Sequence, residues 1–123
     1  LPWREGEAGA EVLLVSDAAG GGFAIPMGWP KRNRTDAEAA ALEAAEEAGA
    51  VGEVAPQPIG KFFYWKELAV GRVRIEAAVY PLRVQRLRAR WKAEGATERV
   101  WVPAGEAAEL VRDPDLAALI EGL

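Results

Sequence analysis

From Glu11 to Ser16 the chain reads Glu-Val-Leu-Leu-Val-Ser, a β-branched apolar run that gives way to a glycine-rich stretch from Asp17 to Gly22. A short apolar run bounded by turn residues predicts a buried strand followed by a loop. Phe23-Ala-Ile-Pro26 predicts a second short strand that delivers the chain to Gly28. Thr35 and Glu38 have the spacing of a capping box, Asp36 falls in the first turn where the helix dipole favours an acid, and Gly49 is placed to close the helix. Together they predict a helix from about Asp36 to Ala48. On a 100° wheel Ala37, Ala41, Ala44, Ala45 and Ala48 gather opposite Glu43, Glu46 and Glu47, so small side chains let this helix lie close against a sheet.

Downstream, Val51 to Pro58 reads as a connector and Ile59 to Lys66 has strand composition. Val70-Gly71 supplies a turn. Arg72 to Val84 alternates and then becomes apolar, with Pro81 suggesting an edge or a bulge. Glu98 to Val102 predicts a last strand, Pro103 opens a helix through about Val111, and Asp115 to Glu121 predicts a shorter terminal helix. There is no internal repeat and no linker. Strands mixed with a central and a C-terminal helix predict one α/β domain over residues 1–123, with a mixed β-sheet between helices.

Composition narrows the chemistry. A chain of 123 residues that is 50% hydrophobic can bury roughly two thirds of its unfolded surface, enough for one core. The net charge of −4 argues against a general nucleic-acid binder and favours a small-molecule partner. Because the chain has neither cysteine nor histidine, zinc sites, disulfides and His- or Cys-based nucleophile mechanisms are excluded. Metal chemistry must then use oxygen ligands, which suit Mg²⁺ first and Mn²⁺ next. No apolar run approaches the roughly 18 residues of a membrane span, and Leu1-Pro2-Trp3-Arg4 is not a signal peptide, so the expected location is cytoplasmic, with no membrane partner.

Glu43, Glu46 and Glu47 stand at i, i+3 and i+4, and their mutual repulsion calls for an offsetting charge. By itself such a face is ordinarily just solvated. The glycine loop before it changes the picture: Gly28 can present its carbonyl to a cation, and the helix N-terminus that follows offers free N–H groups to phosphate. Loop carbonyl and clustered carboxylates make a site for Mg²⁺ and a diphosphate.

The segment Gly28-x5-Arg34-x7-Leu42-Glu43-Ala44-x-Glu46-Glu47-x-Gly49-Ala50 resembles the Nudix box, Gly-x5-Glu-x7-Arg-Glu-U-x-Glu-Glu-x-Gly-U with U aliphatic. Leu13 to Ser16, Ile25-Pro26 and Glu98 to Val102 are similar to the strands that flank it in that family. The Gly28-Trp29-Pro30 wording, with Arg34 inside the box, looks most like bacterial members of the diphosphoinositol-polyphosphate and diadenosine-polyphosphate hydrolase branch. The resemblance implies a Nudix-type α/β/α sandwich that hydrolyses phosphoanhydride bonds with Mg²⁺ or Mn²⁺. It implies metal binding by Glu43, Glu47 and the Gly28 carbonyl, with Glu46 as the catalytic glutamate. Arg34 and Leu42 replace a glutamate and an arginine that usually pair in the family, and their joint change leaves no orphan charge. A second reading is a module of the same fold that binds a nucleotide or phosphate ligand with little turnover.

A polyphosphate needs cations, and Lys31, Arg32 and Arg34 lie in the loop beside this site, where they also serve as solubility charges. The resemblance implies a phosphate contact for Arg99. Arg74, alternating with Arg72, is placed to face a cleft. Arg83, Arg86, Arg88, Arg90 and Lys92 form either a phosphate rim or an exposed stretch that balances the acidic helices. Met27 stands where bacterial relatives often carry lysine, which favours a less charged substrate than an inositol pyrophosphate. Of five tryptophans, Trp29 is the one expected to border the pocket. A monomer or a homodimer is expected.

Overall fold

Side-chain alternation along Val12 to Val15 sends Val12 and Leu14 to one face of a strand and Leu13 and Val15 to the other, and all four are buried. A strand of this kind needs cover on both faces. The chain, a computed structural model, is described for residues 1–17 and 21–123. Its elements are β1 (Pro2–Gly6), β2 (Gly9–Asp17), β3 (Phe23–Ala24), α1 (Asp36–Ala48), β4 (Ala50–Val54), β5 (Gly60–Leu68), β6 (Gly71–Val79), β7 (Leu82–Leu87), β8 (Thr97–Pro103), α2 (Ala104–Leu110) and α3 (Pro114–Glu121).

β2 pairs antiparallel with β1, β3 and β8, β1 pairs parallel with β7, and β7 pairs antiparallel with β4, which makes one mixed sheet. β5 and β6 form a separate antiparallel ribbon. On one face of the mixed sheet Leu13, Val15 and Leu82 pack with Ala44, Ala48 and Ala50, so the alanine side of α1 seats on the strands. On the other face Val12, Leu14 and Val102 pack with Phe62 and Val79 of the ribbon and with Ala107, Ala108, Leu116 and Ile120 of α2 and α3. The result is an α/β/α sandwich around a mixed sheet. No helix among the described residues is long and apolar enough to cross a membrane.

Several local expectations change. Pro2 to Gly6 is a strand that the sequence pattern did not mark; it forms a hairpin with β2 and also pairs with β7, about eighty positions away. The presumed connector begins with β4: Gly52 lies at a bulge where an added Cβ would overlap the Arg83 carbonyl, and this glycine masks a strand pattern. The single strand expected over Arg72 to Val84 is two, since the chain leaves the ribbon at Tyr80-Pro81 and enters the mixed sheet at Leu82. Arg83 and Arg86 therefore belong to β7, and Arg88 to Lys92 to the loop after it. Of the glycine-rich turn expected from Asp17 to Gly22, residues 18–20 lie outside the described residues.

Leu13 has no exposed surface. Leu13→Ala is expected to destabilise the protein by about 3 kcal/mol in urea unfolding, because the cavity beneath α1 cannot fully collapse. Val70→Ala, at a site 88% exposed, serves as the control and should stay within about 0.5 kcal/mol. Equal effects at the two positions would contradict the core assignment.

Candidate active site

The helix that carries the glutamates is fastened at both ends by local chemistry. The Thr35 hydroxyl accepts from the Glu38 N–H at 3.1 Å while the Thr35 N–H donates to Glu38 Oε1 at 2.8 Å. The exchange satisfies free donors of the first turn and holds the Glu38 carboxyl below the usual carboxylate range. At the other end Gly49 takes a left-handed conformation, φ 64°, and its N–H reaches the carbonyls of Ala44 and Ala45. With the alanines against the sheet, Glu43, Glu46 and Glu47 face the loop that precedes the helix and the segment that precedes β8.

Each glutamate meets a different donor. Glu47 is half-buried, and its Oε2 accepts from the Met27 N–H at 3.0 Å. Burial pushes its carboxyl up to about 7, Glu43 and Glu46 add to the rise, and the Met27 N–H and Lys31 oppose it. Glu43, with a side chain 13% exposed, holds the Lys31 ammonium at 2.6 Å. That hydrogen bond is the main reason the Lys31 pKa lies above its ordinary value. A Cβ at Gly28 would fall on the Glu43 carboxyl, so only glycine lets loop and helix approach this closely. Glu46, 40% exposed, is 3.8 Å from the Lys92 ammonium.

Beside this face opens a cleft of about 1040 Å³, bounded by the Met27 to Lys31 loop and Glu43 on one side and by the ribbon on the other. β5 contributes Phe62, Tyr64 and Lys66, which share one face of the strand by alternation. Trp29 borders the cleft as expected; it is 53% exposed, and the Lys66 ammonium lies 5.1 Å from its ring centroid.

The expected cations are distributed unevenly. Lys31 lies at the cleft and on Glu43. Arg32 and Arg34 are exposed on the turn before α1. Arg74 borders the cleft through its strand, but alternation sends its side chain to the opposite face of the ribbon from Tyr64 and Ile75, where the guanidinium lies 3.9 Å from the Phe63 ring centroid. Arg99 lies outside the cleft lining; its Nη1 donates to the Ala48 carbonyl at 2.8 Å, and its guanidinium stacks 3.9 Å from the Trp91 ring centroid. Arg74, expected to face a cleft, thus borders it with its guanidinium against Phe63, and Arg99, expected at a phosphate, engages a helix terminus and a tryptophan face. Two cations were missed as individual site residues. Lys66 was legible in the alternation Phe62, Tyr64, Lys66; Lys92 had no local signal, since only the fold brings it to Glu46.

Among the described residues no three acidic side chains converge closely enough to hold a metal ion. The donor chemistry nevertheless suits a hard cation: three carboxylates, one of them raised to about 7 by burial, face a loop whose glycine leaves no Cβ between. One ammonium, that of Lys31, already answers part of this charge. A divalent ion would have to draw Glu43 away from it.

No family model matches the chain. It is 33% identical over 117 residues to "Nudix hydrolase 16, mitochondrial" of Arabidopsis thaliana, covering 91% of this chain and 64% of that protein. It is 33% identical over 104 residues to "Nudix hydrolase 17, mitochondrial" of the same plant, covering 84% of this chain and 55% of that protein. The chain thus spans less than two thirds of the length of either relative. Among solved structures, a C. elegans Ap4A hydrolase superposes with a TM-score of 0.64 at 14% identity, over 98% of this chain and 89% of that one. A Listeria monocytogenes protein described as a NUDIX hydrolase superposes with a TM-score of 0.69 at 12% identity, over 98% and 85%. At these identities the superpositions establish the fold.

Glu47 generates a stability prediction for the protein in chelator. Its folded pKa of about 7 lies above the ordinary 4.5, so burying the charge costs nothing below about pH 4.5, costs progressively more as pH rises to 7, and costs fully above it. Glu47→Gln keeps an acceptor for the Met27 N–H and removes the charge. In thermal unfolding it should melt higher than the wild type at pH 8, and the gap should close towards pH 4.5. A lower melting temperature for Glu47→Gln at pH 8 would contradict this electrostatic picture.

Proposed function

The chain belongs to the Nudix hydrolase family, and on that premise we propose that it hydrolyses a phosphoanhydride bond in a small nucleoside-diphosphate-linked or polyphosphate molecule, with Mg²⁺ or Mn²⁺ as cofactor. The observation that carries this reading is the glutamate face of α1: Glu43 lines the cleft against the Gly28 loop, and the half-buried Glu47 lies on the Met27 N–H of that same loop. Glu43 and Glu47, with the Gly28 carbonyl, are the proposed metal ligands. When bound, the cation supplies a lowered pKa for water and neutralises charge on phosphate oxygens.

The side chains divide the remaining work. Glu46, 40% exposed, accepts the proton of the attacking water as its oxygen bonds to phosphorus. The bridging oxygen leaves with the electron pair of the broken P–O bond. Lys31, exchanged off Glu43, offers its ammonium to a phosphate oxygen, and Arg32 and Arg34 extend positive charge along the same loop. Trp29 and Lys66 border the part of the cleft that takes the group beyond the diphosphate. The proposal keeps the cytoplasmic location expected from the sequence, "mitochondrial" being part of the plant relatives' names.

The reading of a binding module with little turnover is favoured by two features. Leu42 replaces the box arginine, and Lys31 keeps Glu43 in a 2.6 Å ion pair.

Hydrolysis of dinucleoside polyphosphates, nucleotide sugars, nucleoside triphosphates and diphosphoinositol phosphates, each with Mg²⁺ or Mn²⁺, separates these readings. Turnover of one class is expected, reduced at least a hundredfold by Glu46→Gln and by Glu47→Gln. Metal and nucleotide binding without turnover on any compound would favour the binding module. Turnover untouched by both substitutions would place the chemistry elsewhere.

A further inference from the structure

The last turn of α1 is an unfavourable place for acids. Glu46 and Glu47 lie at the negative end of the helix dipole, and the turn contains no basic residue. The carbonyls of Glu46, Glu47, Ala48 and Gly49 also lie past the point where intrahelical N–H groups can reach them. All four are nevertheless satisfied, and every donor comes from one stretch, Arg88 to Arg99. The Ala93 N–H donates to the Glu46 carbonyl at 2.9 Å, the Thr97 hydroxyl to that of Glu47 at 3.0 Å, Arg99 Nη1 to that of Ala48 at 2.8 Å and the Arg88 N–H to that of Gly49 at 2.8 Å.

Arg99 alone among these donors brings a charge with its bond. Its guanidinium is walled by Trp91 at 3.9 Å on one side, and a Cβ at Gly49 would stand 2.7 Å from Nη1. Gly49 thus serves twice, by its left-handed backbone and by leaving room for this group. From these contacts the geometry points to Arg99 as a positioning residue: it supplies the positive charge that the C-terminal turn of α1 lacks and so holds Glu46 and Glu47 in place. The inference rests on the proposed metal site for its consequence, though not for its geometry.

Arg99→Met and Arg99→Lys test it by two readouts besides activity, amide hydrogen exchange in α1 and Mn²⁺ affinity by electron paramagnetic resonance. In Arg99→Met the amides of Ala48 and Gly49 should exchange at least tenfold faster while those of Ala40 and Ala41 do not change. The Mn²⁺ Kd should rise about tenfold, the size of effect expected when support for metal ligands is removed. Arg99→Lys, which keeps charge and one donor but not the stacked plane, should restore part of both, and it decides the matter if Arg99→Met fails to fold. Affinity for inorganic pyrophosphate in chelator should be unchanged. Unaltered exchange and Mn²⁺ affinity, or lost pyrophosphate binding with both intact, would overturn the inference, the latter in favour of a phosphate contact. A wild type that binds no Mn²⁺ would remove the metal reading instead, and exchange alone would then decide whether Arg99 holds the turn.

Discussion

Three carboxylates on the C-terminal half of one helix, two of them in its last turn, set the electrostatic constraint that the surrounding structure answers. Their charges repel one another and oppose the dipole of α1. The answers come from four places: the Lys31 ammonium on Glu43, the Met27 N–H on Glu47, the Lys92 ammonium near Glu46, and a full set of donors on the carbonyls that end the helix. Burial, with the two neighbouring carboxylates adding to it, still holds Glu47 well above its ordinary pKa. Three carboxylates facing one loop form a donor set that suits a hard cation.

The fold makes that concentration of charge tolerable. α1 seats Ala44 and Ala48 on Leu13, Val15 and Leu82, and such small contacts bring its backbone close to the strands without using the glutamate face. The second layer of helices covers Val12 and Leu14, so β2 is buried on both sides and serves as a rigid reference for the helix. The β5–β6 ribbon stands apart from the mixed sheet and closes the cleft across from Met27 to Lys31. The cleft therefore lies between a loop fixed by Gly28 and a ribbon fixed through Phe62 and Val79.

What could be read from the sequence follows the range of the interactions. The capping box of Thr35 and Glu38, the close of α1 at Gly49 and the α3 helix depend on neighbours within a few residues, and the structure has them at the expected places. β4 depends on β7, far along the chain, and Gly52 disguises it, while β1 joins both its neighbour β2 and the distant β7. The box register placed Gly28, Glu43, Glu46 and Glu47 beside one another, and the loop places Gly28 against Glu43. The alternation of Arg72 and Arg74 was legible, but which face of the ribbon each takes is set by the pairing with β5. The bond from Arg99 to the Ala48 carbonyl spans 51 residues and leaves no local trace in the sequence.

The proposed function turns on whether the glutamate face of α1 takes a divalent ion, and anomalous scattering from crystals grown with Mn²⁺ tests that most directly. A peak bounded by the carboxylates of Glu43 and Glu47 and the Gly28 carbonyl, with Lys31 moved off Glu43, is the expected result. A peak elsewhere, or none at saturating Mn²⁺ while Lys31 stays on Glu43 and Met27 on Glu47, would contradict the assignment and leave the three glutamates as a charged face answered by lysines and backbone alone.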